Sequence, residues 1–245
     1  MEMHSDMLIS IVTVCYNAAS EIEDTILSVI NQTYNNIEYI IVDGGSTDGT
    51  VDVIKKYENR ITKCISEPDK GIYDAMNKAI DMATGEWINF MNAGDQFVDN
   101  RVLEDLKISF EGSSDVLFGN SVLSNNGVLK QRKGKLNKDD FPTLGHQSTF
   151  VRTLLMKEYH FDLQYKICAD FAFLYKLYKQ GHVFSYIDRD VDLFDVTGLS
   201  SGHREQLYLE HCLICEKQPS LLKVLKYKVE DKLPQSLMRS LARLR

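Results

Sequence analysis

The chain has no long apolar run. No stretch approaches the roughly 20 apolar residues that cross a bilayer, and the first six residues, Met1 to Asp6, are polar and acidic. The apolar run from Met7 to Cys15 has no basic leader before it, so a secretory signal is not expected. Cysteines are few, scattered and odd in number: Cys15, Cys64, Cys168, Cys212 and Cys215. That pattern reads as reduced thiols in a cytoplasmic protein rather than a disulfide framework. Cys212-x-x-Cys215 has the spacing of half a zinc site, but no second half stands near it, and buried or idle thiols explain it more simply. Acidic residues outnumber basic ones outside the C-terminus. Residues 217–245 carry eight Lys/Arg against Glu230 and Asp231, a net +6, which leaves −13 for the rest of a chain whose total is −7. An acidic body argues against a nucleic-acid partner.

What is present fits a globular α/β protein. The 245 residues are 44% hydrophobic and 26% charged, enough for one large domain, or one domain with an appendage, around a substantial core. Leu8 to Tyr16 alternates and is rich in β-branched residues, a strand. Ser20-Glu21-Ile22-Glu23 has the form of a capping box and opens a helix to about Gln32, with Ile22, Ile26, Leu27 and Ile30 inward. Ile37 to Val42 is a second strand, a helix with Val51 and Ile54 inward follows, and Thr62 to Ser66 is a third strand. This alternation predicts a Rossmann-like, mostly parallel sheet flanked by helices.

The polar loops after the first two strands lie on the same sheet edge, where open α/β sheets bind ligands. Neither has the glycine spacing of a P-loop or a dinucleotide fold. The second, Asp43 to Thr50, offers a carboxylate, glycine-freed amides and hydroxyls, and an acid there suits a ribose hydroxyl or a base N–H better than a phosphate. Ile72, Met76, Ala79 and Ile80 repeat at helical spacing, leaving Asp74, Asn77 and Lys78 outward and Lys70 at the preceding turn, within reach of a diphosphate or simply in solvent. Glu86 to Met91 then reads as a buried strand ending on Asn92-Ala93-Gly94-Asp95. Small Ala93 and Gly94 let a bulky ligand approach, and Asp95 has the chemistry to hold a hard divalent cation; an ordinary acidic turn would look the same.

Residues 10–17 (SIVTVCYN), 42–50 (VDGGSTDGT), 69–77 (DKGIYDAMN), 83–87 (ATGEW) and 92–95 (NAGD) together resemble family 2 glycosyltransferases, in particular the bacterial branch that builds O-antigen, capsule and colanic-acid-type polysaccharide. The resemblance spans roughly residues 8–215. It implies an A-type glycosyltransferase fold, a UDP-sugar donor, a divalent cation (Mn2+ or Mg2+), and inversion at the anomeric carbon. By motif match, Thr13, Tyr16, Asn17, Asp43, Ser46 and Asp48 would border the uridine; Lys70, Asp74 and Asn77 would line the donor pocket, with Asn92 to Asp95 at the diphosphate. Two positions depart from the pattern. Asn92 replaces the first acid of the usual Asp-x-Asp, leaving Asp95 as the strong cation ligand. Gly44 replaces the second acid of Asp-Asp-Gly-Ser, leaving the base contact to Asp43.

In the second half, residues 115–123 and 127–132 read as a hairpin turning at Asn125-Asn126-Gly127, and 133–140 as a polar, mobile stretch. The resemblance assigns His146 and Gln147 to the acceptor site, though a His beside a Gln is ordinarily a structural hydrogen-bonder. It makes Asp170, in the first turn of a helix, the general base, preferred over Asp162 and Asp195; a first-turn acid is also common for the helix dipole alone. Residues 182–194 are β-rich, and 197–204 form a flexible loop that would close over donor, with His203 completing the cation's shell or free on the surface. The expected layout is a transferase domain over 1–215 (nucleotide-sugar half 1–95, acceptor half 96–215) and a basic amphipathic tail over 216–245. That tail suits an anionic membrane surface, or packing on the domain or a partner subunit. The resemblance further implies a polyprenyl-diphosphate-linked saccharide acceptor at the inner face of the bacterial cytoplasmic membrane. The rivals are a nucleotidyltransferase, which needs a glycine-rich basic loop where Cys15-Tyr16-Asn17-Ala18-Ala19 stands, and a non-catalytic sugar-nucleotide binder.

Overall fold

The protein is described here by a computed structural model covering residues 7–125, 128–136, 144–195 and 203–232. Strand β1 (Ile9–Cys15) lies at the centre of four parallel strands, with β2 (Ile37–Asp43) on one side and β4 (Trp87–Phe90) on the other, and β3 (Lys63–Ser66) beyond β2. The sheet continues through β8 (Thr149–Arg152), antiparallel to β4, then β6 (Val116–Asn125), β9 (Phe184–Asp195) and the two-residue β5 (Gln96–Phe97). β7 (Val128–Arg132) pairs with β6 as the expected hairpin, whose turn lies outside the described residues.

Period-two alternation sends β1 side chains to two different cores. Ile9 and Ile11 pack with α1 (Ile22–Ile30) and α4 (Val102–Phe110) on one face. Val12 and Val14 pack with α3 (Ile72–Met82), α5 (Thr153–Tyr159) and α6 (Ala169–Lys179) on the other. With both faces covered, parallel strands read as near-continuous apolar runs, as β1 does. The first crossover helix differs from expectation at its start. Ser20 does not cap α1: the N-cap is Glu21, with no side-chain cap, and the turn closes by the Glu21 and Ile22 N–H groups on the Ala18 carbonyl at 3.0 and 2.9 Å. Ala18 itself is tied to the β2 loop through the Thr50 hydroxyl at 2.8 Å, so the loop contact sets where the helix begins. The buried face is Ile22, Thr25, Ile26 and Val29, with Leu27 and Ile30 only half-buried.

The chain ends, as described, in α7 (Arg204–Ile214) and α8 (Leu221–Glu230). Asp231 accepts the Arg204 and Glu205 N–H groups at 3.0 Å each, and Tyr227 packs on Tyr208. α8 has no buried residue; Leu221, Leu222, Leu225 and Val229 face outward in one stripe.

One buried acid ties the strand edges beneath the site. Glu38 on β2 accepts from Lys63, Ser10, and the Thr84 amide and hydroxyl, at 2.6 to 2.8 Å. Burial alone would raise its pKa, but these donors, Lys63 foremost, hold it down to about 2. A carboxyl depressed below its unfolded value stabilises the fold above that value and loses the contribution as pH falls through the folded one. Thermal melts from pH 7 to pH 2 are therefore expected to show a drop beginning near the ordinary carboxyl range, and Glu38→Gln to flatten it while costing roughly 2 kcal/mol at neutral pH.

Candidate active site

The loops after β1 and β2 are stitched together by their own polar groups. The Asn17 amide donates to the Ser46 hydroxyl at 2.7 Å, the Thr47 amide to the Asn17 side chain at 3.0 Å, and the Ala19 amide to Asp48 at 3.1 Å. Asn17, Ser46 and Asp48 thus shape the shelf. Two expected nucleotide contacts prove internal. Asp43 is fully buried; its oxygens accept from the Gly45 and Ser46 amides, the Ser46 and Ser66 hydroxyls and the Cys15 thiol. These donors outweigh burial and hold its carboxyl below the usual range, so it builds the loop instead of meeting a ligand. Thr13 is also fully buried, its hydroxyl donating to the Met91 carbonyl at 2.7 Å and paired with Tyr39. It faces the core because strand alternation turns it there.

What the shelf offers is a ring and a different acid. Tyr16 is 65% exposed and lies beside Gly44. A side chain at Gly44 would run into the Asp69 carboxylate, which lies over it, and would press on the Tyr16 ring at 3.3 Å. Asp69 therefore occupies the place left by the missing second acid of the β2 loop. Sequence reading passed over it, although Pro68-Asp69 is a turn signal on the same sheet edge. Beyond it, Asp74 accepts the Lys70 amide at 3.0 Å, and the Lys70 ammonium projects from an exposed position. Asn77 is not on a free face: its amide group spans the Phe161 backbone, donating and accepting at 2.9 and 2.8 Å. It holds α3 to the segment before α6, with both ends of its amide committed to backbone.

The turn after β4 and the start of α6 converge through one dipeptide. Gly94, at φ +97°, lets Asn92-Ala93-Gly94-Asp95 fold back so that the Asp95 amide meets the Asn92 carbonyl at 2.9 Å. His146 sits between Asn92, Nε2 to Nδ2 3.0 Å, and Asp170, Nδ1 to Oδ2 3.0 Å. Gln147 donates to Asp95 at 3.0 Å. Asp170 also accepts from the Tyr73 hydroxyl and the Phe171 amide at 2.9 Å each, and the segment before it is held by Glu210, which accepts the Lys166, Ile167 and Cys168 amides. Asp162, the alternative base, is exposed and bonds Gln164 instead.

The electrostatics of the two acids differ. Burial would raise Asp170, but His146 beside it, the Phe171 amide and the Tyr73 hydroxyl hold it below the usual range, ionised at neutral pH. Asp95 is pushed up to about 6 by burial, which outweighs the His146 charge and the Gln147 bond. Asp192 of β9, unnoticed in the sequence, is fully buried near Asp95 and is pushed up to about 7, first by burial and further by Asp95.

The donor set suits a hard cation that a ligand completes. Asp95, Asp192 and Asn92 offer only oxygens, and buried Asn92 Oδ1 and Asp192 Oδ2 have no hydrogen-bond partner. Among the described residues no three His, Cys, Asp or Glu side chains cluster as a self-sufficient metal site. His203 begins α7 at an exposed position; residues 196–202, where the expected closing loop falls, and the Asp195 side chain lie outside the description.

The site lies at the strand ends of a mostly parallel sheet, where open α/β folds bind ligands, and similarity to known proteins gives the family. The description of glycosyl transferase family 2 matches residues 10–181, and the chain belongs to that family. TuaG of Bacillus subtilis, named for teichuronic acid biosynthesis, is 36% identical over 125 residues, covering 49% of this chain and 50% of that one. A PGL/p-HBAD biosynthesis glycosyltransferase of Mycobacterium tuberculosis is 28% identical over 173 residues, 68% of each. The chain thus spans half to about two-thirds of these relatives' lengths. S. aureus TarS, solved with UDP, superposes with a TM-score of 0.69 at 23% identity, covering 86% of this chain and 65% of TarS. The mannosyltransferase PcManGT of Pyrobaculum calidifontis, solved with GDP-Man and Mn2+, superposes at 0.68 with 15% identity, covering 94% and 71%. These likenesses establish the A-type fold.

Replacing Tyr73 by Phe removes one donor from Asp170 and leaves the His146 bond. The Asp170 carboxyl is expected to titrate higher in Tyr73→Phe, read by carboxyl 13C NMR, with a stability loss of about 1 kcal/mol at neutral pH that shrinks in acid.

Proposed function

We propose that this chain is an inverting glycosyltransferase that moves a hexose or N-acetylhexosamine from a UDP-sugar to a polyprenyl-diphosphate-linked saccharide, in the assembly of a bacterial surface polysaccharide such as O-antigen or capsule. The observation that carries this reading is the His146-Gln147 bridge, which joins Asp95 and Asp170 in one site. Tyr16, Gly44 and Asp69 form a flat shelf with an acid for the base or ribose, supporting a nucleoside there. Lys70 supplies positive charge for the diphosphate. The TarS complexes with UDP and UDP-GlcNAc favour uridine as the nucleoside, and relatives named for teichuronic acid and PGL/p-HBAD biosynthesis favour the acceptor class.

In this mechanism Asp170 takes the proton of the acceptor hydroxyl as its oxygen forms a bond to the anomeric carbon, opposite the breaking bond to UDP. The Tyr73 and His146 contacts keep that carboxylate ionised and fixed in direction. A divalent cation at Asp95 would offset the charge developing on the leaving diphosphate. His146 and Gln147 border the acceptor side while holding the two acids.

No described helix is long and apolar enough to cross a membrane. Peripheral contact with the inner face of the cytoplasmic membrane is supported by α8, whose outward Leu221, Leu222, Leu225 and Val229 are interleaved with Lys223, Lys226 and Lys228. In flotation with phosphatidylglycerol vesicles, the full chain is expected to bind, and Leu222→Ser/Leu225→Ser to lose most of that binding; equal flotation of both would remove the membrane reading.

Asp170→Asn is expected to lower transfer by about 10² to 10⁴ while UDP binding by calorimetry and the melting temperature stay near wild type. Asp95→Ala should weaken donor binding as well. Full transfer by Asp170→Asn would sink the base assignment, and stabilisation only by GDP- or dTDP-sugars would overturn uridine.

A further inference from the structure

Asn92 leaves the turn after β4 with a single carboxylate, and β9 brings another to it. Phe97 pairs with Asp192 and Gln96 with Leu193 across β5 and β9, so Asp192 faces a residue two positions beyond Asp95, a diagonal neighbour in the sheet. The approach depends on irregular pairing. Between Phe118 and Ser121 the β6–β9 register shifts twice, so that Phe118 opposes Tyr186 but Ser121 opposes Asp192. Asp188, before the shifts are complete, is exposed, whereas Asp192 is fully buried. Bulges of this kind re-aim side chains beside active sites.

Asp192 is only half satisfied where it lands. Oδ1 accepts the Ser121 hydroxyl at 2.9 Å, while Oδ2 is buried with no donor. Asn92 Oδ1 is in the same condition, its Nδ2 being turned to His146. Arg132 and His146 are the cationic groups within electrostatic reach of Asp192, and neither satisfies the empty oxygen. Two buried acids in mutual repulsion, with undonated oxygens beside them, are costly as they stand. A divalent cation removes both costs, and such ions commonly take one or two carboxylates and complete their shell with phosphate oxygens and water.

Resting on the donor site proposed above, we infer that Asp192 supplies the second carboxylate of the cation site: Asp95 and Asp192 together hold a Mg2+ or Mn2+ ion, with the Asn92 carbonyl oxygen at its edge. β9 thereby replaces the acid that position 92 lacks. Because no third ionisable ligand joins them among the described residues, tight binding requires the diphosphate.

The test is Mn2+ titration of the full chain, free Mn2+ read by electron paramagnetic resonance, with and without UDP. Wild type is expected to take up one Mn2+ at least about tenfold more tightly with UDP than without. Asp192→Asn should lose about tenfold or more of that affinity with an unchanged metal-free melting temperature. Asn92→Asp in the Asp192→Asn background should restore it, which a purely structural role for Asp192 would not allow. Undiminished Mn2+ affinity in Asp192→Asn, or no rescue by the second acid, overturns the assignment. If wild type binds UDP but takes up no Mn2+, the cation site falls while the transferase reading stands, since transfer by wild type against Asp170→Asn decides that separately.

Discussion

Two neighbouring side chains hold the site together. His146 and Gln147, entering β8, reach back to the turn after β4 and forward to the start of α6, so that Asn92, Asp95 and Asp170 share one hydrogen-bonded frame. β8 pairs antiparallel with both β4 and β6, so it sits where the two halves of the sheet join. The dipeptide forms the turn that leads into β8, and the strand paired on both sides immediately after it anchors that turn. Asn89 strengthens the seam by donating its amide to the Gln147 and Thr149 carbonyls at 2.8 and 2.9 Å.

The rest of the architecture serves that frame. Tyr73 on α3 and Glu210 on α7 approach Asp170 from different directions, one donating to its carboxylate and the other capping the backbone that leads to it. The loops of β1 and β2 spend nearly all their polar groups on one another, which leaves an exposed aromatic ring and the Asp69 carboxylate as the surface presented to a ligand. Rigid loops with few free groups suit recognition of a flat base, where the geometry must exist before the ligand arrives.

Motif matching named segments that the fold brings to one sheet edge, while the direction of individual side chains within them differs from expectation. Asp43 and Thr13 lie in the right segments but face inward, because position along a strand end does not say which alternate residue meets solvent. Asn77, outward by helical spacing, is covered by the Phe161 backbone arriving from 84 residues away. Asp69 was hidden for the opposite reason: its importance comes from Gly44, on another loop, leaving room for it. The Ser20 capping box was locally sound and was overridden by the loop contact between Ala18 and Thr50.

Hydrophobic periodicity and the motif segments in register were enough to determine the family, the alternating strand–helix order, the sheet edge carrying the loops, and Asp95 and Asp170 as the acids to watch. Those properties are local, or repeat along the chain, and so survive in a one-dimensional reading. The tertiary structure alone decided that His146 and Gln147 join the two acids, and that Asp192 lies buried beside Asp95. In the sequence Asp188, Asp190 and Asp192 form an alternating row like any solvated strand face; two register shifts against β6, invisible without the partner strand, turn the last of them into the protein.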